Sequence, residues 1–158
     1  MIDGYSPASE FLCSFFGDDE VPLQGSPLAE ANLALLIRLT RDPVYANRDW
    51  ATFLLSQSAV DTPVVRTALI RAVQENDDIV RDEALSGLAL RDAELARPLI
   101  LQALRTEHAS VPLFEAAELC AHPSLIEELR AWAQPSSDSY VDQCAVDALA
   151  ACEAAASE

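Results

Sequence analysis

The sequence predicts an all-α chain, an α-solenoid of about four helix pairs preceded by a short N-terminal capping helix. Three observations carry this. A five-residue pattern ending on alanine recurs as Asn47-Arg48-Asp49-Trp50-Ala51, Val80-Arg81-Asp82-Glu83-Ala84 and Leu113-Phe114-Glu115-Ala116-Ala117, with its alanines 33 residues apart. A fourth copy, Val141-Asp142-Gln143-Cys144-Ala145, follows after 28 residues. Self-similarity at such a period marks stacked repeats. Each alanine is also followed four positions later by Leu55, Leu88, Ala121 or Leu149, one stripe of a helix. Finally, no period-2 run of β-branched residues is present to make a strand.

Residues 1–25 read as a cap and a linker, and residues 26–156 as the solenoid. Residues 6–16 carry Phe11, Leu12, Phe15 and Phe16, which are expected to cover the apolar end of the first pair. Terminal repeats need such covers because one of their faces has no neighbour. The linker is GDDEVPLQG, residues 17–25. The first helix of each pair, type A, is predicted over 27–41, 62–75, 93–106 and 123–133. Its core reads Leu36-Ile37-Arg38-Leu39, then Leu69-Ile70-Arg71-Ala72, and returns at Ile100-Leu101 and Leu125-Ile126. The second helix, type B, carries the alanine pattern and is predicted over 43–57, 78–90, 111–121 and 138–154. Ser26-Pro27, Asp42-Pro43 and Thr62-Pro63 each set a capping oxygen before proline. The oxygen accepts an orphan N–H of the first turn, and proline has no N–H to leave unpaired.

The chain has 158 residues, ten Arg, no Lys and 26 carboxylates, a formal charge of −16. That balance excludes a sequence-independent DNA binder, which needs many cations on phosphate. It argues equally against binding to an anionic membrane. No apolar run reaches the roughly 18 residues of a spanning helix. The acidic N-terminus, MIDGYSPASE, lacks the basic start of a secretory signal, so the expected location is cytoplasmic. Cys13, Cys120, Cys144 and Cys152 have no CxxC spacing, and the expectation is free thiols, no disulfide framework and no metal site. No phosphate-cradling, nucleophile-elbow or HExxH motif occurs, and no cofactor is expected.

The segments Asp42-Pro43 to Leu55 and Asn76-Asp77-Asp78-Ile79-Val80-Arg81-Asp82-Glu83-Ala84-Leu85, with Gly87-Leu88-Ala89, resemble the DPDxxVRxxAxxxLG helix of the HEAT-like repeat family. Pro98-Leu99-Ile100 and Ala103-Leu104 resemble the family's preceding helix. The resemblance covers about residues 26–155 and weakens in units three and four, where Phe114 and Asp142 stand in place of the arginine. It implies a solenoid whose B helices line a concave binding face. It also implies that Arg48 and Arg81 form an inter-repeat ladder with loop carboxylates such as Asp42 and Glu75.

Charge separates by helix type. The A segments carry seven Arg against five carboxylates, a net of +2, whereas the B segments carry two Arg against eleven carboxylates, a net of −9. The B face is therefore expected to be acidic and to bind a basic protein, with Tyr45, Asp49, Trp50, Asp78, Asp82, Glu83, Glu115, Glu118, Tyr140 and Asp147 as the partner-binding residues. Aromatic side chains beside carboxylates suit a partner bearing Arg and Lys. The expected function is a non-enzymatic protein-binding module. One version of it is an inhibitor or immunity protein of a basic toxin or nuclease, since opposite charge speeds capture. The alternative expectation is a subunit of a bilin-lyase-like enzyme.

Overall fold

A computed structural model describes residues 5–157; residues 1–4, where the predicted cap begins, and residue 158 lie outside the described residues. Among the described residues the chain is all-helical, with no strand. A short α1, Glu10–Cys13, runs into a 3-10 turn over Ser14–Phe16. Then follow α2 (Pro27–Leu39), α3 (Tyr45–Gln57), α4 (Pro63–Ala72), α5 (Asp78–Arg91) and α6 (Ala93–Leu104). The last three are α7 (Val111–Cys120), α8 (Ile126–Trp132) and α9 (Ser139–Ala156), with a 3-10 turn, Pro123–Leu125, leading into α8.

The predicted helix starts have the expected chemistry at two of three positions. Ser26 accepts the Ala29 N–H and Thr62 accepts the Val65 N–H, each ahead of a proline. Asp42 does not cap α3; its Oδ1 accepts the Val44 N–H at 2.8 Å in a turn, and the helix begins only at Tyr45. Three aspartates cap where no proline follows: Asp77 on α5, Asp92 on α6 and Asp138 on α9.

The B helices α3, α5, α7 and α9 pack side by side in chain order. Helix α2 lies on α3, α4 on α5, α6 between α5 and α7, and α8 on α9. The four pattern alanines, Ala51, Ala84, Ala117 and Ala145, are all fully buried, which is why a small residue recurs there. Helices α3 and α5 approach closely at Gly87. A methyl group on Gly87 would lie 2.7 Å from Ser56 Cα. The buried Ser56 hydroxyl donates across this contact to the Glu83 carbonyl at 2.8 Å.

Arginines fasten successive units. Arg48 donates to the Asp42 carbonyl at 2.9 Å and lies 3.6 Å from the Glu75 carboxylate in the α4–α5 loop. Arg81 likewise reaches the His108 carbonyl in the next such loop at 3.2 Å. Arg91 clamps the end of α3: its guanidinium donates to the carbonyls of Leu55, Ser56, Ser58 and Val60. Trp132 sits between units, donating its indole N–H to the Leu104 carbonyl at 2.8 Å.

The N-terminal segment lies along α3. Leu12 is fully buried, and the Ala8 and Ser9 N–H groups both donate to the buried Asn47 side chain, at 2.8 and 2.9 Å. Phe11 and Phe15 pack against the same core, while Phe16 is 44% exposed.

Candidate functional site

The eleven carboxylates of the B segments divide into two groups. Six have partners in the fold. Asp77 and Asp138 cap helices. Asp78 and Asp82 both pair with Arg81 at 2.8 Å. Asp142 accepts from the Ser136 N–H and hydroxyl, and Glu153 pairs with Arg130 at 3.1 Å. Of the other five, Glu83, Glu115 and Glu118 have neither an ion pair nor a side-chain hydrogen bond among the described residues, and Asp49 and Asp147 form no ion pair but accept a neutral hydrogen bond each, from Tyr5 and Gln143.

Those five are distributed over α3, α5, α7 and α9 and are electrostatically continuous. Glu83 is half-buried, and its carboxylate has no hydrogen-bond donor among the described residues. Burial, then the carboxylates of Glu115, Asp49 and Asp82, push the Glu83 carboxyl up to about 7. Burial pushes the Cys144 thiol up as well, and Glu115, Asp147 and Glu118 add to the effect. One row of like charge therefore runs from Asp49 through Glu83 to Glu115, Glu118 and Asp147. Gln143 donates to Asp147 at 2.8 Å, a neutral contact that leaves its charge in place. Beside the row, Gln57, Ser86, Leu90, Glu115, Glu118 and Leu119 line a shallow depression. Leu90 and Leu119 expose apolar surface there.

Three of the expected binding residues are engaged inside the fold. Asp82 is fully buried: it holds the Ser110 N–H and hydroxyl at 2.9 and 2.8 Å and so anchors the start of α7. Burial raises the Asp82 carboxyl, while Arg81 and Ser110 oppose the shift. Asp78 is held by Arg81. Trp50 is enclosed by aromatic rings, stacked by Tyr5 at 6.2 Å and met edge-on by Phe16 at 5.0 Å and Phe53 at 5.8 Å. Tyr45 remains at the surface, 3.4 Å from the Asp77 carboxylate, and Tyr140 is 68% exposed at the start of α9.

Tyr5 joins the candidate site through Asp49, a contact that the repeat pattern does not show. Its hydroxyl donates to Asp49 Oδ2 at 2.8 Å. Burial and the Asp49 carboxylate hold its phenol well above the usual range. Chemically, the row can bind cations. A carboxyl that titrates near neutrality also suits a general acid, but no hydroxyl, thiol or imidazole bonds to Glu83 among the described residues.

No family model matches the chain. Protein YibA of Escherichia coli strain K12 is 26% identical over 120 residues, spanning 76% of this chain and 43% of YibA, and YibA of strain O157:H7 matches equally. The X-ray structure of Escherichia coli YibA superposes with a TM-score of 0.59 at 23% identity, over 82% of this chain and 51% of that one. The chain thus spans about half the length of the proteins it matches, and the structural likeness is one of all-helical fold alone.

Proposed function

We propose that the chain is a HEAT-like solenoid acting in the cytoplasm as a non-enzymatic protein-binding module, with an acidic concave face for a basic protein partner. The side-by-side order of α3, α5, α7 and α9, backed by α2, α4, α6 and α8, supports the solenoid reading. So do Arg48 and Arg81, each reaching the loop of the following unit. The observation that carries the function is the row of five carboxylates without an ion pair among the described residues, Asp49, Glu83, Glu115, Glu118 and Asp147. Glu83 is held there against both burial and repulsion. A fold gains nothing from placing a half-buried carboxyl beside three others. A partner's cation repays that arrangement, and the field of the row steers the partner in. The sharper form of the proposal is an inhibitor or immunity protein that masks the cationic surface of a toxin or nuclease.

Capture of partners from native lysate tests this, at about 50 mM and about 300 mM salt, where screening differs strongly. A parallel capture uses the double variant Glu115→Arg, Glu118→Arg, both exposed residues. The expected result is a basic protein held by the wild type, weakened by salt and lost from the variant. Equal capture by the variant contradicts the acidic-face reading. Co-purification of a pigment, with no protein, moves the assignment to an enzyme subunit.

A further inference from the structure

The geometry points to Tyr5 as a resident stand-in for an arginine side chain: the corner formed by Asp49, Trp50 and Tyr45 recognises a guanidinium of the basic partner, which enters by displacing the Tyr5 phenol. This inference rests on the acidic-face reading and adds the side chain recognised and what occupies its place beforehand.

Tyr5 presents a flat ring to Trp50, at 6.2 Å and 27° between planes, and a second contact to Tyr45 at 6.2 Å. From that position its hydroxyl donates to Asp49 at 2.8 Å. A planar group lying on an indole while donating to a carboxylate is the binding mode of a guanidinium. The guanidinium adds a full positive charge and further donors, and it gains a cation–π attraction that a phenol lacks. Lysine offers a compact, strongly hydrated charge and no plane to stack. The chain's own nearby cation leaves the Asp49 carboxylate without an ion pair: Arg48 lies 5.6 Å from the Tyr45 ring centre but donates to the Asp42 carbonyl and faces the Glu75 carboxylate.

Two observations mark the closed corner as replaceable. The Trp50 indole N–H is sealed from solvent with no acceptor. A buried donor left unpaired raises the free energy of the state that buries it, so closing the corner carries a cost. The anchor of the segment also lies beyond Tyr5. Pro7 is buried, Ala8 and Ser9 are bonded to Asn47, and Leu12 is fully buried. The 38% exposed Tyr5 therefore swings out without loosening the cap that follows it.

The test uses nona-arginine and nona-lysine peptides as probes, titrated calorimetrically at low salt into wild type, Tyr5→Ala, Tyr5→Phe, Asp49→Asn and Glu115→Arg. The Trp50 indole N–H is followed by NMR. The Tyr5→Ala protein is expected to bind the arginine peptide about three- to tenfold more tightly than wild type, the scale of one displaced hydrogen bond. The gain is expected to be smaller for lysine, and the Trp50 resonance moves on binding. Tyr5→Phe, which keeps the ring and loses the bond to Asp49, falls between, and Asp49→Asn weakens binding. Unchanged thermal melting shows that the cap stays in place. If Tyr5→Ala binds no more tightly while Glu115→Arg still weakens binding, the stand-in inference fails and the acidic face stands. An equal gain for lysine overturns recognition of arginine. If neither peptide binds any form of the protein, the acidic face falls as well.

Discussion

Replacing Glu83 by Gln stabilises the protein at alkaline pH and leaves it unchanged at acid pH. The reason lies in the row. Burial and the neighbouring Glu115, Asp49 and Asp82 raise this carboxyl from 4.5 to about 7. The folded chain therefore holds the Glu83 proton more tightly than the unfolded chain does. Its contribution to stability is fully present below the unfolded value of 4.5, declines as pH rises to about 7, and is flat beyond. At about 1.4 kcal/mol per unit, and discounted for the part of the group that water still screens, the charged form costs on the order of 2–3 kcal/mol. Glutamine keeps the shape and never ionises. Urea unfolding of both proteins from about pH 3.5 to about pH 8.5 reads the effect as a shift in midpoint at constant slope. The midpoints coincide at the acid end and separate by that amount at the alkaline end, with the variant the more stable. A gap that stays constant with pH, or one that closes as pH rises, refutes the assignment of an unpaired, half-buried carboxylate at the centre of the row.

Three further substitutions test how the units are fastened. Gly87→Ala places a methyl 2.7 Å from Ser56 Cα. It therefore lowers stability by about 1–3 kcal/mol despite the better helix propensity of alanine, and a stabilised variant in thermal melts contradicts the close α3–α5 contact. Asp82→Ala strips Arg81 and Ser110 of a fully buried partner. The expected loss is about 3 kcal/mol in urea unfolding, whereas a loss under about 0.5 kcal/mol is what a surface carboxylate would give. Arg91→Ala orphans the carbonyls of Leu55, Ser56, Ser58 and Val60. It costs about 2–4 kcal/mol, and lysine rescues it poorly because an ammonium cannot span the same fan of acceptors. Wild-type stability in Arg91→Lys contradicts the clamp.

Much of the helical order was legible because it rests on local chemistry. The alanine pattern locates α3, α5, α7 and α9, since only a small side chain fits where these helices approach. Ser26 and Thr62 mark helix starts through an oxygen and a proline adjacent in sequence. The misreadings share a different cause. Asp42 has the same signature as those two, but its oxygen is taken by the Val44 N–H, and nothing in the motif separates an aspartate turn from a cap. Asp82 neighbours Arg81 on the predicted binding face, yet the group that draws it inward is Ser110, 28 residues away. Arg91 lies at a helix end and binds backbone carbonyls, which carry no side-chain signature. Tyr5 falls in the predicted cap, and its contact with Asp49 and Trp50 depends on how the segment lies along α3. Within the predicted site, what the sequence supplied was the sign of the charge on the B helices. Which carboxylates remain unpaired depends on where ten arginines point, and that is decided by packing.

The acidic face is tested most directly by comparing two charge reversals of equal size against the captured partner. One reverses the row, Glu115→Arg with Glu118→Arg. The other reverses Glu30 and Glu127, exposed residues of α2 and α8. Both change the net charge equally, so long-range attraction alone weakens them equally. The row variant is expected to lose at least about tenfold in affinity while the control loses less than about threefold, as local pairing outweighs screened attraction. Equal losses, or a loss confined to the control, would place recognition outside the Asp49–Asp147 row and contradict the account.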